Sequence, residues 1–175
     1  MGLRILSLGD FSDIAEIEEN GKTFAENALK KAQFYSTYLD QLTLADDSGL
    51  EVKALQGMPG IYSARYAGER AFPQENNRKL LREMEGIPTS KRGARFKCVM
   101  ALVSSDGKKA VTEGVCRGRI GFKEVGKRGF GYDPLFILPH YGQTMAQLSI
   151  DEKNRISHRG KALRKMRKIL PHFMP

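Results

Sequence analysis

Several common functional signatures are missing from this chain of 175 residues. No apolar run approaches the length of a bilayer-spanning helix, and the N-terminal residues lack a secretory signal pattern. No Walker loop and no serine or cysteine hydrolase signature occurs. The three histidines, His140, His158 and His172, lie in unlike contexts without metal-ligand spacing. We therefore expect a cytoplasmic protein without a membrane span and without a covalent nucleophile.

Cysteine is scarce, with two residues in the chain, Cys98 and Cys116. Both fall in a predicted hairpin, where a two-residue turn at Asp106-Gly107 would place Cys116 opposite Lys97. That register leaves the two sulfur atoms out of phase, and a reducing compartment disfavours a disulfide in any case. We expect two reduced thiols.

Charge is unevenly distributed along the chain, which carries a net charge of +9. Residues 1–50 contain 4 basic and 9 acidic residues, whereas residues 151–175 contain 8 basic and 2 acidic residues. Such asymmetry suits an anionic ligand held between an acidic part and a basic part. It also suits a nucleic-acid-binding surface, so both interpretations stay open at this point.

Hydrophobic periodicity and turn residues divide the chain into helices and strands. Thr23 with Glu26, and Ser149 with Glu152, form capping-box patterns at helix starts. Strands are predicted at 4–8, 42–45, 94–105 and 109–120, helices at 23–40, 74–86 and 157–170, and loops at 53–73 and 126–136. The last helix is basic, and its predicted apolar side consists of Leu163, Met166 and Leu170.

Interleaved helices and strands around a central hairpin predict the α/β class. We expect a mixed β-sheet flanked by helices, because the hairpin excludes a purely parallel sheet. The length accommodates one domain over residues 1–175 with a single folding unit, and no linker or repeat divides it.

The segment LADDSGLEV sets Asp46 and Asp47 side by side, directly after a short apolar strand. Adjacent carboxylates suit Mg²⁺, which accepts one or two carboxylates together with waters and phosphate oxygens. Glu18 and Glu19 are candidates for a further ligand. The alternative is a turn in which an aspartate caps backbone amides.

The segment RGFGYDP combines glycines with Phe130, Tyr132 and Asp133. The glycines allow close approach of backbone to a flat ligand, the aromatic rings suit stacking on a base, and Asp133 accepts hydrogen bonds from ring N–H groups. The alternative is a tight turn whose two aromatic residues anchor the core.

Two further segments carry cations. EKNRISHRGKALRKM predicts an anion site at a helix start or, alternatively, an exposed basic helix. In GIYSARYAG, Arg65 either reaches a phosphate or pairs with an acid and holds its loop. The cationic and imidazole side chains of the first segment are Lys153, Arg155, His158, Arg159 and Lys161.

Taken in this order, TFAENALKKA, ADDSGLEV, MPGIYSARYAG, GFGYDPLF and EKNRISHRGKAL resemble the inosine/xanthosine triphosphate pyrophosphatase family. The similarity extends from Leu3 to Leu170. It implies an elongated fold with two lobes and a central cleft, and a homodimer. It also implies Mg²⁺-dependent hydrolysis of non-standard purine triphosphates such as ITP, dITP and XTP to the monophosphate and pyrophosphate, with neither membrane nor nucleic acid as partner.

The resemblance also assigns roles to individual residues. It implies that Asp47 is the catalytic acid and a metal ligand, that Glu19 is a second metal ligand, and that Asp46 and Arg65 are further candidates. The implied substrate contacts are Ser48, Phe130, Gly131, Tyr132, Asp133, Lys153, His158 and Arg159.

One departure from the family pattern concerns the N-terminus. Family members begin with an additional strand and a Ser/Thr-x-Asn-x-x-Lys loop that contributes to phosphate binding, and this motif is absent from the sequence. Either the chain is a shortened form or its start is assigned too late. For the chain as given we expect weak or no turnover, so that a nucleotide-binding protein is the second hypothesis. A nucleic-acid-binding module, suggested by the basic C-terminal quarter, is the third.

Overall fold

A computed structural model describes residues 4–12 and 14–174, and five strands form one sheet within these ranges. The helices are α1 (Phe24–Leu39), α2 (Pro73–Glu83), α3 (Ile150–Ile156) and α4 (His158–Ile169), and the strands are β1 (Thr43–Val52), β2 (Gly93–Val103), β3 (Lys109–Ile120), β4 (Phe136–Leu138) and β5 (Gln143–Thr144). Neither the length nor the apolarity needed to span a membrane is reached by any helix in the described ranges.

The sheet follows chain order, β1-β2-β3-β4-β5, and each described strand pair is antiparallel. The α/β class with flanking helices is confirmed. A mixed sheet would contain parallel neighbours as well. The described strands are all antiparallel to their neighbours, because each strand runs back along the strand that precedes it in the chain.

The β2–β3 hairpin is confirmed, but its register is one residue away from the predicted one. Cys116 lies opposite Phe96, since the last pair is Val103 with Lys109 and the turn contains five residues, 104–108. Asp106 accepts a hydrogen bond from the Lys108 amide (3.2 Å), which enlarges the turn beyond the predicted two residues. Both thiols are free and buried, as expected.

Alternation along β2 sends successive side chains to opposite faces of the sheet, and a helix covers each face. On one face, α1 packs Phe24, Ala28 and Ala32 against Val99, Ala101 and Val103. On the other, α4 packs Ala162 and Met166 against Cys98, Met100 and Leu102. A third apolar cluster lies at the other end of the same strands and includes Leu80 of α2. The core is therefore divided into separate clusters along the length of the strands.

Helix α1 shows why the sequence signals worked where they did. The Thr23 hydroxyl accepts from the Glu26 amide (3.1 Å), as predicted. The Glu26 carboxylate accepts a hydrogen bond from the Lys22 amide (2.7 Å), whereas a complete capping box would have it accept from the Thr23 amide. The apolar stripe that begins at Phe24 is buried along the helix.

Three predicted elements are corrected. Residues 4–7 form no strand, and Leu8–Asp10 is a 3-10 turn, because no described strand pairs with this segment. The strand predicted at 42–45 continues to Val52, because β2 pairs with it over its whole length. Leu163 is 50% exposed and is replaced on the buried side of α4 by Ala162, whereas the predicted Met166 is buried and the predicted Leu170 packs against the same cluster.

Candidate functional site

Asp46 and Asp47 lie in the middle of β1 rather than at its end, and they face opposite sides of the sheet. Asp46 is opposite Met100 and Asp47 is opposite Val99 in the register with β2. Met100 belongs to the α4 side and Val99 to the α1 side. The two carboxylates therefore have separate environments, in contrast to a pair that chelates one cation.

Asp47 is buried beside α1, with 8% of its surface exposed. Its Oδ2 accepts from Asn27 Nδ2 (2.9 Å) and its Oδ1 accepts from the Ser48 amide (2.9 Å). Burial raises the pKa of Asp47 and the negative charge of Glu19 adds to this, although the Asn27 hydrogen bond and the Lys31 charge act in the opposite direction. The result is a carboxylate with an increased affinity for a proton.

Glu19 lies next to Asp47 and is held by two cations. Its carboxylate pairs with Lys31 Nζ at 2.6 Å, and its carbonyl oxygen accepts from Arg65 Nη2 at 3.1 Å. Arg65 also approaches Glu69 at 3.6 Å. Arg65 therefore fixes the segment that presents Glu19, which agrees with the loop-holding interpretation of this residue.

Asp46 is the centre of a second cluster on the α4 side. Its Oδ2 accepts from the Ser48 hydroxyl (2.7 Å), from Arg159 Nε (3.0 Å) and, more weakly, from Cys98 Sγ (3.7 Å). Burial alone would raise the pKa of Asp46, but the Arg159 charge and the Ser48 and Arg159 hydrogen bonds outweigh it, so the pKa is lowered. Burial raises the pKa of the Cys98 thiol to about 11, so it stays protonated at neutral pH.

Arg159 joins the aspartate strand to the glycine-rich loop. Its guanidinium lies 5.4 Å from the centre of the Phe130 ring, while its Nε binds Asp46. Phe130 is 68% exposed and does not anchor the core, whereas Tyr132 is buried and its hydroxyl donates to the Ser63 carbonyl (3.0 Å). The core-anchor alternative therefore holds for Tyr132, whereas the exposed ring of Phe130 leaves the base-stacking interpretation open for that residue.

The same loop is fixed internally by Asp133. Its Oδ2 accepts from Lys153 Nζ (2.8 Å) and from the Phe130 amide (3.3 Å). Gly129 has a positive φ of 87°, and a Cβ atom there would lie 2.1 Å from Asp133 Oδ2 and 2.2 Å from Lys153 Nζ. A glycine is required because the ion pair closes directly over the backbone.

His158 begins α4 and stacks on Phe96, with ring centres 4.9 Å apart. Burial, helped by the Arg159 and Lys161 charges, lowers the pKa of His158 to about 4, so its ring is neutral at pH 7. Within the described chain its Nδ1 is buried and has no hydrogen-bond partner. A buried ring nitrogen without a partner is destabilising, and a ligand group that completes the bond removes that cost.

Three of the remaining cations of α4, Lys161, Arg164 and Lys165, donate hydrogen bonds to backbone carbonyls. Lys161 donates to the Val115 carbonyl (2.8 Å) and Lys165 donates to the Glu113 carbonyl (2.7 Å), both on β3. Arg164 donates to the carbonyls of residues 154 and 155. These side chains bond to neighbouring parts of the chain, so fewer cations of the helix are left to bind nucleic-acid phosphates.

No cluster of three or more His, Cys, Asp or Glu side chains suited to a metal occurs in residues 4–12 and 14–174. The donors that do lie together are the carboxylates of Asp47 and Glu19, whose negative charges interact. Two carboxylates match what Mg²⁺ takes from a protein when phosphate oxygens and waters supply the other ligands. The residues present therefore fit this ion.

Two polar residues next to Asp47 were not predicted from the sequence. Asn27 and Lys31 bind Asp47 and Glu19, respectively. Both lie on the apolar stripe of α1, three positions after Phe24 and Ala28. Their position on the buried side of an amphipathic helix is the sequence signal that could have identified them.

The site thus places buried Asp47 and half-buried Glu19 on one side of β1, and an arginine with an exposed phenylalanine on the other. Carboxylates with cations suit phosphate chemistry, and an aromatic ring beside a guanidinium suits a flat ring. Fold and site together define an α/β protein whose site suits a phosphorylated ligand with a planar group.

Comparison with known proteins identifies the family. The sequence model of the Ham1 family matches residues 1–169, and the chain belongs to this family. It is similar to the dITP/XTP pyrophosphatases of Desulforamulus reducens (52% identity over 169 residues, 97% of this chain and 84% of the relative) and Shouchella clausii (50% over 171 residues, 98% and 86%). The Ham1 protein of Staphylococcus aureus has a similar structure, with a TM-score of 0.90 at 40% identity over 98% of this chain and 88% of that one. The resemblance inferred from the motifs is confirmed.

Proposed function

We propose that this protein hydrolyses non-standard purine nucleoside triphosphates, ITP, dITP and XTP, to the monophosphate and pyrophosphate. The observation that carries the proposal is Arg159, which binds Asp46 with its Nε and covers Phe130 with its guanidinium. This contact joins the α4 side of the aspartate strand to the base loop (Phe130–Asp133), and Ser48, whose amide and hydroxyl bond to Asp47 and Asp46, connects that side with Asp47 on the other face. Relatives about 50% identical that are named dITP/XTP pyrophosphatases support the same reaction.

In this proposal Asp47 accepts the proton of the attacking water. The water oxygen bonds to phosphorus, the bond between that phosphorus and the bridging oxygen breaks, and pyrophosphate leaves. A raised pKa makes the ionised carboxylate of Asp47 a stronger base. Asn27 holds Asp47 through Oδ2, and the Ser48 amide holds it through Oδ1.

We assign Mg²⁺ to Asp47 and Glu19. The ion supplies charge neutralisation at the phosphates when bound. Lys31 pairs with Glu19 at 2.6 Å and lowers the pKa of Asp47, so this chain also provides a cation of its own beside the two carboxylates. Arg65 keeps the Glu19 backbone in place.

Selection of the base falls to the α4 side. Hypoxanthine and xanthine present an acceptor oxygen at position 6, where adenine presents a donor amino group. Donors of His158 and Arg159 match the oxygen and leave adenine unpaired, and His158 Nδ1 is buried and unpaired in the described structure. A site built for one hydrogen-bonding edge discriminates by roughly 10⁴ to 10⁵ when the partner is missing.

Pyrophosphate release from ITP, dITP, XTP and ATP, measured with Mg²⁺ and with a chelator, tests the function. We expect release from the first three, slow release from ATP, and no release in the chelator. Nucleotide binding without pyrophosphate would favour the nucleotide-binding hypothesis. Salt-sensitive binding to RNA or DNA without any triphosphate preference would favour a nucleic-acid-binding module.

We also propose a homodimer and a cytoplasmic location, where the nucleotide pool is found. Exposed Met58, Tyr62 and Val111 line a groove of about 750 Å³ on the α1 side of the sheet, which offers apolar surface for a second copy. Sedimentation of the purified protein tests the dimer, and cell fractionation tests the location.

A further inference from the structure

Two consecutive asparagines in α2, Asn76 and Asn77, are buried, with 4% and 3% of their surfaces exposed. Buried amide side chains are costly unless they form hydrogen bonds. They therefore call for an explanation in a short helix whose other buried residue is Leu80.

Asn76 is explained by its own hydrogen bonds. Its Nδ2 donates to the Ala64 carbonyl (3.0 Å), and its Oδ1 accepts from the Ala67 amide (2.7 Å). Both halves of the amide are satisfied, and they hold the 3-10 segment Gly60–Arg65, which carries Arg65 toward Glu19.

Asn77 differs, because only one half of its amide is used in the described structure. Its Nδ2 donates to the Gly131 carbonyl (3.2 Å), and its Oδ1 is buried without a partner. A leucine of similar size would remove the unsatisfied acceptor, and Gly131 is only partly buried, so water would reach its carbonyl. Stability alone therefore does not account for an amide at this position.

The hydrogen bond from Asn77 reaches the base loop at a residue with left-handed backbone, Gly131. Gly131 has a positive φ of 56° and lies between exposed Phe130 and buried Tyr132. Tyr132 is fixed by its bond to Ser63, and Asp133 is fixed by Lys153. Asn77 supplies the contact from α2 to the loop backbone next to Phe130, across 54 positions of sequence.

We propose that Asn77 is a positioning residue that sets the base loop and thereby the preference for the purine ring. The inference rests on the proposed function, and it concerns only the base side of that site. Asn77 has no bond to β1, to Glu19 or to Arg159 among the described contacts, so its loss changes ring binding and leaves the phosphate chemistry intact.

The test compares Asn77→Leu with the matched control Asn76→Leu, which removes a neighbouring buried amide that holds a different loop. Hydrogen–deuterium exchange of residues 126–135 is measured without nucleotide, together with kcat and KM for ITP and ATP and the melting temperature. For Asn77→Leu we expect faster exchange in the base loop and an unchanged or higher melting temperature. We expect kcat/KM for ITP to fall roughly 3- to 10-fold through KM, with ATP unchanged.

Asn76→Leu is expected to lower the melting temperature, and its effect on base-loop exchange should be smaller than that of Asn77→Leu, because it reaches the loop only indirectly, through Ser63 and the Tyr132 hydroxyl. If Asn77→Leu leaves base-loop exchange unchanged, or lowers ITP and ATP turnover in parallel, the positioning role is wrong. If Asn77→Leu does not fold, Asn77→Ser gives the same two readouts with a shorter donor. A wild-type protein without pyrophosphate release would overturn the proposed function, while the exchange data would still decide whether Asn77 holds the loop.

Discussion

Asp46 and Asp47 are neighbours in the chain, yet they belong to different sides of β1. On the α1 side, burial and the nearby Glu19 raise the pKa of Asp47. On the α4 side, the Arg159 charge and two hydrogen bonds outweigh burial and lower the pKa of Asp46. A pair that looks like one chelating unit in the sequence is therefore two units, because a strand sends successive side chains to opposite faces.

In the proposed function, the chemical step belongs to the α1 side and base recognition belongs to the α4 side. The α1 side contains the proposed base, Asp47, and the proposed second Mg²⁺ ligand, Glu19. The α4 side contains an arginine held by Asp46 over an exposed ring. Ser48 connects the two sides, since its amide binds Asp47 and its hydroxyl binds Asp46. Variants on the two sides should therefore differ in which kinetic parameter they change.

Asp47→Asn should have the largest effect. The amide keeps the size of the side chain but does not accept a proton from water, so kcat for ITP should fall by about 10²- to 10⁴-fold. Nucleotide binding, measured by calorimetry, should stay within a few fold of wild type. Stability should change little, because removal of an ionised carboxylate that is costly in the fold offsets the loss of one of the two hydrogen bonds that Asp47 accepts, since an amide has a single acceptor oxygen. Wild-type kcat in this variant would remove Asp47 from the reaction.

Gly114→Ala should be next, and it acts on the α4 side from β3. A Cβ at Gly114 would lie 2.0 Å from the His158 carbonyl oxygen and 2.5 Å from the Ala162 amide nitrogen. Helix α4 must therefore shift, and overpacking of this kind costs about 1–3 kcal/mol of unfolding free energy. We expect that loss in chemical denaturation, together with weaker discrimination between ITP and ATP.

Gly93→Ala is the matched control for Gly114→Ala. Gly93 also lies in the sheet, and a Cβ there would meet no atom within 4 Å. It should leave stability and substrate preference close to wild type. Equal effects of the two alanines would show that the start of α4 does not depend on its contact with β3.

Asp46→Asn should have a moderate effect on binding and little effect on the chemical step. The pair with Arg159 is partly exposed, with 30% and 45% of the two side chains accessible, so its loss should cost about 0.5–1 kcal/mol. We expect KM for ITP to rise a few fold at nearly constant kcat. A kcat as low as that of Asp47→Asn would show that the two aspartates act together, against the separation described above.

The stability of Asp46→Asn should also depend on pH. The lowered pKa of Asp46 contributes stability at pH values above its ordinary value of 3.8, and this contribution disappears as pH falls through the folded-state pKa. The difference in melting temperature from wild type should therefore be present at pH 7 and absent in strong acid. A difference that is constant over the whole range would argue against an electrostatic origin.

Local patterns predicted much of the fold. The Thr23 cap, the apolar stripe of α1 and the β2–β3 hairpin depend on neighbouring residues, and all three are present. The register of the hairpin depended on the size of its turn, which the Asp-Gly pair did not specify. The extension of β1 to Val52 depended on pairing with β2, a partner that is distant in sequence.

The candidate site was predicted less completely, for the same reason. The sequence located Asp47, Phe130 and Arg159 through motifs. It missed Asn27, which meets Asp47 only because α1 packs on that face of β1. It also grouped Asp46 with Asp47, because adjacency in sequence was visible and the direction of each side chain was not.

Lys31→Met should have the smallest effect, a displacement of the pH profile, and it tests chiefly the α1 side, because the Lys31 charge is the smallest of the causes that lower the pKa of Asp46. The Lys31 charge lowers the pKa of Asp47, so its removal should raise that pKa further above 3.8. Asp47 accepts a proton only when it is ionised, so the acid limb of kcat against pH should move to higher pH. Lys30→Met is the matched control, since Lys30 binds the Glu18 carbonyl and Asn20 instead. If both variants show the wild-type acid limb, either Lys31 does not act on Asp47 or the limb belongs to another group, and Asp47→Asn decides between these two causes.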